Sequence, residues 1–281
     1  MRTVHKIAAA KVLYRTIIAA RRATGRPDKI IATKCGLRYE LDLSEGIDLA
    51  VYLFGAFEPS TRDALAKYVK PGMTVLDIGA NIGSHTLHLA NLVGAAGRVY
   101  AFEPTAFAYA KLLRNLSLNP VLESRVIAQQ CFLTSADIDD LPHQIHSSWP
   151  LVGGKDLHPK HLGAQKSTNG ARAKTLDSIL ADKGDPTIHL VKMDVDGFEC
   201  DVLSGATRMT SIQKPVFIME LSPYILMEHG HSVEQMMSFF IPLGYRFFHE
   251  KTEEVLPSDA LSISRMIRDG ESINVIARCP K

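Results

Sequence analysis

The chain has 281 residues, of which 46% are hydrophobic and 22% are charged, and its formal net charge is +2. This length can bury the core of one large α/β domain with an extension, and it does not require two full domains. The charge is unevenly distributed, because residues 1–27 contain seven basic residues and no acidic one. Subtracting these seven from the 32 basic residues leaves 25 against 30 acidic residues in the rest of the chain. That balance disfavours nucleic acid as a partner.

The first predicted element is a basic amphipathic helix over about residues 3–22. Lys11 and Arg15 interrupt its apolar residues, so no run approaches the roughly 20 residues of a membrane span. The segment also lacks the unbroken apolar core of a signal peptide. We expect the helix to pack on the domain or on a second copy of the chain, as in a homo-oligomer. The alternative is a peripheral contact with the inner face of a membrane.

The next predicted element is a small β-hairpin or lid formed by Arg38–Leu43 and Leu49–Phe54, with Gly46 in its turn. Together with the helix it makes residues 1–58 an N-terminal extension. Residues 59–281 then form the main domain.

Strands and helices alternate through the main domain, which predicts a Rossmann-like, doubly wound and mostly parallel sheet of seven strands in an α/β fold. The predicted strands are Thr74–Ile78, Arg98–Phe102, Arg125–Gln130, Ile188–Met193, Val216–Leu221, Tyr245–Phe248 and Ile273–Ala277. The predicted helices are Pro59–Val69 and residues 82–93, 105–118, 176–182, 198–208 and 231–241.

A glycine-rich turn follows the strand Thr74–Ile78 and leads directly into a helix. Such a turn directs backbone N–H groups and the helix N-terminus towards a bound ligand. Glu103 ends the next strand, 20 residues beyond Gly83, where folds of this kind bind the hydroxyls of a ribose. These features predict an adenosine-containing cofactor, and the alternative is a tight turn with no ligand.

The spacing of the turn narrows the choice of cofactor. Gly79 and Gly83 are four residues apart with no glycine between them, so the turn is not G-x-G-x-x-G, and no P-loop lysine follows. Asp77 would repel a phosphate but would attract a cation. S-adenosylmethionine carries both an amino group and a sulfonium, so it is the predicted cofactor.

Several further motifs occur along the chain in a fixed order. They are Phe57–Thr61 (F-E-P-S-T), Val75–Gly83 (V-L-D-I-G-A-N-I-G), Phe102–Pro104 (F-E-P), Thr175–Leu180 (T-L-D-S-I-L) and Val191–Glu199 (V-K-M-D-V-D-G-F-E). This combination resembles the FkbM-type family of S-adenosylmethionine-dependent methyltransferases. The resemblance implies the methyltransferase version of the sheet, with an antiparallel last strand, and a hydroxyl of a sugar or secondary metabolite as acceptor. One departure is Asp196, where the family usually has a glutamate.

Residues at the carboxyl ends of the strands are the predicted cofactor contacts. Glu103 would bind the ribose, and the adenine would lie near Phe132. Asn81 is either a cofactor contact or the N-cap of the helix that follows. The methionine part of the donor would be held by Asp77, Gly79, Asn81 and Gly83.

Three further residues are predicted to carry the chemistry. A sugar hydroxyl must lose its proton as the methyl group arrives, so an acceptor for the proton is needed at the strand ends. Asp194 is the candidate general base, with Lys192 orienting it and Glu220 close by. The alternative is Mg²⁺ bound by Asp194, Asp196 and Glu220, as in the similar arrangement of catechol O-methyltransferases.

The stretch of about residues 134–171 interrupts the alternation and contains the only tryptophan, Trp149. Loops of this length are usually functional or disordered. We expect a lid that faces the acceptor, with Trp149 stacking on a sugar ring, and the alternative is a solvated insertion. Zinc is disfavoured because nothing fixes four converging donors. The histidines of the stretch are His143, His146, His158 and His161.

The predicted function is O-methylation of a small-molecule or glycan acceptor, including a glycolipid. A nucleic-acid methyltransferase is the first alternative, but the segment after the fourth strand reads Asp194-Val195-Asp196-Gly197 rather than N/D-P-P-aromatic, and the chain has no Pro-Cys pair. A non-catalytic S-adenosylmethionine-binding protein is the second. The four scattered cysteines form no C-x-x-C pair, which favours a reduced, cytoplasmic protein. The acceptor itself is not encoded in any motif.

Overall fold

The computed structural model describes residues 3–137, 141–153, 157–160 and 162–280. The chain begins with helix α1 (Thr3–Ala23), the hairpin strands β1 (Lys29–Lys34) and β2 (Leu37–Asp42), and helix α2 (Gly46–Phe54). In this described part, no helix is both long enough and apolar enough to cross a membrane.

The predicted hairpin is wrong in its position. The two strands that pair are β1 and β2, and the turn between them consists of Cys35 (φ +50°) and Gly36 (φ +80°). Two consecutive residues with positive φ suit a tight hairpin turn. The apolar run Leu49–Phe54 belongs to α2 instead, and Gly46 begins that helix. A short apolar run does not distinguish a strand from a buried helix, which explains the error.

The remaining strands are β3 (Thr74–Ile78), β4 (Arg98–Phe102), β5 (Val126–Gln129), β6 (Cys131–Leu133), β7 (Gln144–Ser147), β8 (Ala164–Ser167), β9 (Arg172–Lys174), β10 (Leu190–Met193), β11 (Val216–Leu221), β12 (Arg246–His249) and β13 (Ile273–Arg278). The remaining helices are α3 (Pro59–Tyr68), α4 (Ser84–Leu92), α5 (Ala106–Ser117), α6 (Pro120–Glu123), α7 (Leu176–Asp182), α8 (Glu199–Ser204), α9 (Thr207–Gln213), α10 (Pro223–Glu228), α11 (Val233–Ser238) and α12 (Ala260–Met266), with a 3₁₀ turn at Ile241–Leu243.

The main sheet has seven strands in the order β12-β13-β11-β10-β3-β4-β5. Strands β11, β10, β3, β4 and β5 are parallel, and β13 is antiparallel to both of its neighbours. This architecture confirms the predicted α/β fold with a doubly wound, seven-stranded sheet and an antiparallel last strand. The carboxyl ends of the parallel strands therefore lie along one edge, where such folds bind their ligands.

Apolar side chains cover both faces of the sheet. In β3, Leu76 and Ile78 belong to one buried cluster, whereas Val75 belongs to the other, as the alternation of a strand requires. The second cluster also contains Tyr14 and Ile18 of α1 and the inward residues of β2. The N-terminal extension thus packs against the same face of the sheet as α4 and α5.

The stretch predicted to be irregular contains a second hairpin. Strands β7 and β8 pair with each other. The short strands β6, before this hairpin in the chain, and β9, after it, also pair with each other. The backbone N–H of Gly46 donates to Trp149 O (3.0 Å), and that of Leu151 donates to Ser44 O (2.8 Å). These bonds fix the insertion to the N-terminal extension. The predicted helix 198–208 is in fact two helices, α8 and α9.

Candidate active site

A cavity of about 720 Å³ lies at the carboxyl ends of β3, β4, β10 and β11. Its volume falls in the range of small-molecule and cofactor sites. Most of the predicted site residues line it, but Asp77 and Gly83 do not. Those that do are Gly79, Asn81, Glu103, Phe132, Lys192, Asp194, Asp196 and Glu220.

The turn after β3 depends on the backbone freedom of its glycines. Gly79 has φ +77°, and a Cβ on this residue would lie 1.8 Å from the carbonyl oxygen of Asp194. The turn is therefore packed directly against the end of β10. Gly83 has φ +86°, and a Cβ there would meet Leu112 Cδ1 at 2.7 Å. Gly83 thus sets the contact between α4 and α5 rather than the shape of the cavity.

Asn81 also has a left-handed backbone, with φ +48°. Its predicted role as an N-cap is wrong, because the N-cap of α4 is Gly83. The side chain of Asn81 instead donates from Nδ2 to Ser148 Oγ (3.2 Å) in the insertion. Asn81 therefore joins the turn to the insertion at the wall of the cavity.

Glu103 is buried at the end of β4 and holds the turn after β3 in place through a hydrogen bond. One of its oxygens accepts from the backbone N–H of Asn81 (3.0 Å), and the other accepts from the backbone N–H (2.9 Å) and the hydroxyl (2.6 Å) of Thr105. Burial raises the pKa of Glu103, and these hydrogen bonds oppose the increase. A carboxylate has about four acceptor positions. The described residues fill three of these positions, which leaves one for a hydroxyl in the cavity that Glu103 lines.

Asp77 lies behind the turn and is fully buried. It accepts from Thr86 Oγ1 (2.6 Å), and its other oxygen lies 3.5 Å from Lys192 Nζ. The two residues are directly opposite each other in the ladder between β3 and β10, which explains the contact. A direct contact between Asp77 and a cofactor stays a prediction.

Lys192 connects the turn to the candidate base. Its Nζ donates to Gly79 O (2.9 Å) and lies 3.9 Å from Asp194 Oδ2. Burial lowers the pKa of Lys192, but the carboxylates of Asp77, Asp194 and Glu58 outweigh it, so the net change is an increase. Lys192 is therefore an ammonium whose position is fixed on both sides, as an orienting group requires.

Glu58 is a site residue that the sequence analysis did not single out. It lines the cavity, and its carboxylate accepts from Thr61 Oγ1 (3.2 Å) and Asn274 Nδ2 (3.3 Å). Burial, followed by the charge of Asp194, raises the pKa of Glu58. The sequence motif that could have identified Glu58 is F-E-P at Phe57–Pro59, because the same three residues occur at Glu103.

The magnesium alternative finds no support in the arrangement of the acids. Among the residues that the structure describes, no three His, Cys, Asp or Glu side chains are placed to hold a metal ion. Burial and the charge of Asp194 raise the pKa values of Asp196 and Glu220 well above their ordinary range. Charge on one of these carboxylates therefore disfavours charge on its neighbours unless a cation lies between them.

The insertion covers one side of the cavity. The ring of Trp149 lines it and lies 6.1 Å from the ring of Phe57. A second cavity of about 460 Å³ is lined by His146 and His158 and shares Asp196 with the first. His158 Nε2 lies 2.9 Å from Glu228 Oε2. His143 lines neither cavity, and His161 lies outside the described residues.

The sheet order, with antiparallel β13 between β11 and β12, is the methyltransferase version of the Rossmann-like fold. Residues 77–247 match the family profile described as the methyltransferase FkbM domain. This match covers more than half of the chain, which therefore belongs to the FkbM methyltransferase family.

Two curated relatives are similar over about half of the chain. Methyltransferase sdnD of Sordaria araneosa is 30% identical over 156 residues, which cover 47% of this chain and 59% of the relative. The 2-O-methyltransferase NoeI of Sinorhizobium fredii is 27% identical over 152 residues, covering 51% of this chain and 61% of the relative. The chain thus spans about three fifths of the length of each.

Solved methyltransferase structures are also similar. An FkbM methyltransferase from Methylobacillus flagellatus is 16% identical, with 77% of this chain and 50% of that chain covered, at a TM-score of 0.42. An S-adenosylmethionine-dependent O-methyltransferase from Thermotoga maritima is 14% identical, with 93% and 81% covered, at a TM-score of 0.44.

Proposed function

We propose that the protein is an S-adenosylmethionine-dependent O-methyltransferase that acts on a hydroxyl of a sugar, glycolipid or secondary metabolite. The observation that carries the proposal is Glu103, which keeps one acceptor position free beside the Gly79 turn in a cavity of about 720 Å³. Membership of the FkbM family and the name of the relative NoeI, a 2-O-methyltransferase, support transfer to oxygen.

The residues of the cavity fit this donor part by part. Glu103 would accept from a ribose hydroxyl, and the turn from Gly79 would allow the methionine part to approach the backbone closely. The adenine would lie against Phe132, whose ring is held edge-on to Phe198 at 5.0 Å. Asp194 and Lys192, at the end of β10, would then face the methyl group.

The donor supplies a methyl group on a positively charged sulfur. As the new O–C bond forms, the C–S bond breaks, its electron pair returns to the sulfur, and the acceptor hydroxyl loses its proton. Asp194 accepts that proton as general base. Lys192, 3.9 Å away, fixes the orientation of the carboxylate through its bond to Gly79 O.

The test uses cell extracts as the source of acceptor, incubated with isotopically labelled S-adenosylmethionine and analysed by mass spectrometry. Asp194→Asn should lower turnover by about 10²–10⁴-fold with donor affinity nearly unchanged. The matched control is Asp182→Asn, which removes an exposed carboxylate at the end of α7, away from the cavity. A fully active Asp194→Asn enzyme would exclude this role, and activity lost in EDTA and restored by Mg²⁺ would reinstate the metal.

A further inference from the structure

The cavity has far more acidic than basic side chains, and the imbalance lies mainly away from the donor turn. Of the described residues that line it, seven are acidic and only Lys192 and Lys251 are lysine or arginine. Lys192 already contacts Asp77, Asp194 and Gly79 O. The exposed Lys251 therefore leaves most of the acidic charge uncompensated.

Three of these carboxylates gather around Asn274 in β13. Asn274 Nδ2 donates to Glu58 Oε2 (3.3 Å), and Asn274 O accepts from the backbone N–H of Glu250 (3.1 Å). Glu220 is directly opposite Asn274 in the ladder between β11 and β13. We call Glu58, Glu220 and Glu250 the acidic corner. It draws on three separate elements: the start of α3, the end of β11 and the loop after β12.

The buried, unpaired side chain of Glu250 is a second observation which indicates that the acidic corner binds a ligand. Its side chain is 5% exposed and lines the cavity, yet in the described part of the chain its Oε1 has no hydrogen-bond partner. Buried polar atoms of native proteins are normally paired, and leaving one unpaired is costly. A hydrogen-bond donor in the cavity would satisfy it.

The position of the corner separates it from the donor. In the sheet, β13 lies three strands from β3, which at about 4.8 Å per strand places them roughly 14 Å apart. The donor turn and Glu103 belong to β3 and β4. Asn274, around which the acidic corner lies, is thus three strands away from the donor turn, and we place the acceptor on this side of the cavity.

We propose that the acidic corner binds a positively charged amino group of the acceptor, so that the substrate is an amine-bearing polyol such as an amino sugar. An ammonium has three donors and no acceptor, which matches the unpaired Oε1 of Glu250 and the neighbouring carboxylates. Their charges also repel one another: burial first, then Asp194 and later Glu250, raise the pKa of Glu58. An acceptor carrying a carboxylate or phosphate would be repelled. This inference rests on the proposed function.

The experiment measures binding of three pyranoses by saturation-transfer NMR to the protein saturated with S-adenosylhomocysteine. Glucosamine is cationic, N-acetylglucosamine is neutral and glucuronate is anionic, while all three present similar hydroxyls. Glucosamine should bind about tenfold more tightly than N-acetylglucosamine, and glucuronate should bind most weakly. Glu250→Gln keeps the shape of the side chain but removes its charge, so it should abolish most of that preference.

Glu254→Gln is the matched control, because it removes the same charge from an exposed residue of the same loop that does not line the cavity. The preference for glucosamine should survive in this variant. Equal binding of the three sugars, no binding of glucosamine, or a preference unchanged in Glu250→Gln would overturn the inference. In each of these cases, binding of S-adenosylhomocysteine leaves the proposed function standing, whereas its absence refutes both.

Discussion

Replacing Gly79 with alanine tests how the donor turn is built. An L-residue at φ +77° costs about 1–2 kcal/mol. The new Cβ would also lie 1.8 Å from Asp194 O, more than an ångström closer than the 3.0 Å that real contacts keep. Overpacking of this kind costs a further ~1–3 kcal/mol. Gly79→Ala should therefore lower the free energy of unfolding by about 2–5 kcal/mol, measured by denaturant titration.

Gly72→Ala separates the two contributions. Gly72 has φ +85°, but a Cβ there would have nothing within 4 Å, so only the backbone cost of about 1–2 kcal/mol applies. The surplus in Gly79→Ala measures the contact with the end of β10. Moving that strand end would also displace Lys192, whose Nζ donates to Gly79 O in the turn, so donor binding should be lost in Gly79→Ala only. Equal destabilisation of the two variants would refute the close packing.

Glu103→Ala should weaken binding of S-adenosylhomocysteine by about 1.5–3 kcal/mol, measured by calorimetry. Thr105→Val leaves the carboxylate in place and should keep most of the affinity. Similar losses in both variants would show that the ribose is held elsewhere. Burial raises the pKa of Glu199 from 4.5 to about 7, so the native state keeps a proton that the unfolded state loses above about pH 4.5. The free energy of unfolding should thus fall by up to about 3 kcal/mol as pH rises from 4.5 to 7. This loss should be absent in Glu199→Gln, and parallel pH profiles of the two proteins would contradict the raised pKa. The membrane contact of α1 stays a prediction: Val12 and Leu13 are exposed, so Arg15→Glu should reduce sedimentation with anionic vesicles, and unchanged sedimentation would favour the packing role alone.

Sequence patterns predicted the parts of the fold whose signals are local. The bounds of β3, β4 and β11 are those predicted, because each is a mostly apolar run that ends just before Gly79, Glu103 or the Ser222-Pro223 pair. The hairpin of β7 and β8 was not predicted, since its strands, such as Gln144–Ser147, are mostly polar and show no apolar alternation. Their pairing depends on contacts with the rest of the domain.

The site was predictable where a motif fixes the backbone, as at Gly79 and Glu103. The contact of Asp77 with Lys192 was not predictable, because the two residues lie more than a hundred positions apart in the chain. Glu58 and Glu250 were missed for the same reason. Both contact Asn274, near the end of the sequence.

The most direct test of the proposed function is a calorimetric titration of the purified protein with S-adenosylmethionine and S-adenosylhomocysteine. The structure provides one cavity with the Gly79 turn and Glu103 at its wall, so each ligand should bind at one site per chain. NAD should not compete, because the turn is not built for a pyrophosphate. Absence of heat with both adenosyl ligands, or displacement by NAD, would contradict the assignment of the cavity to the methyl donor.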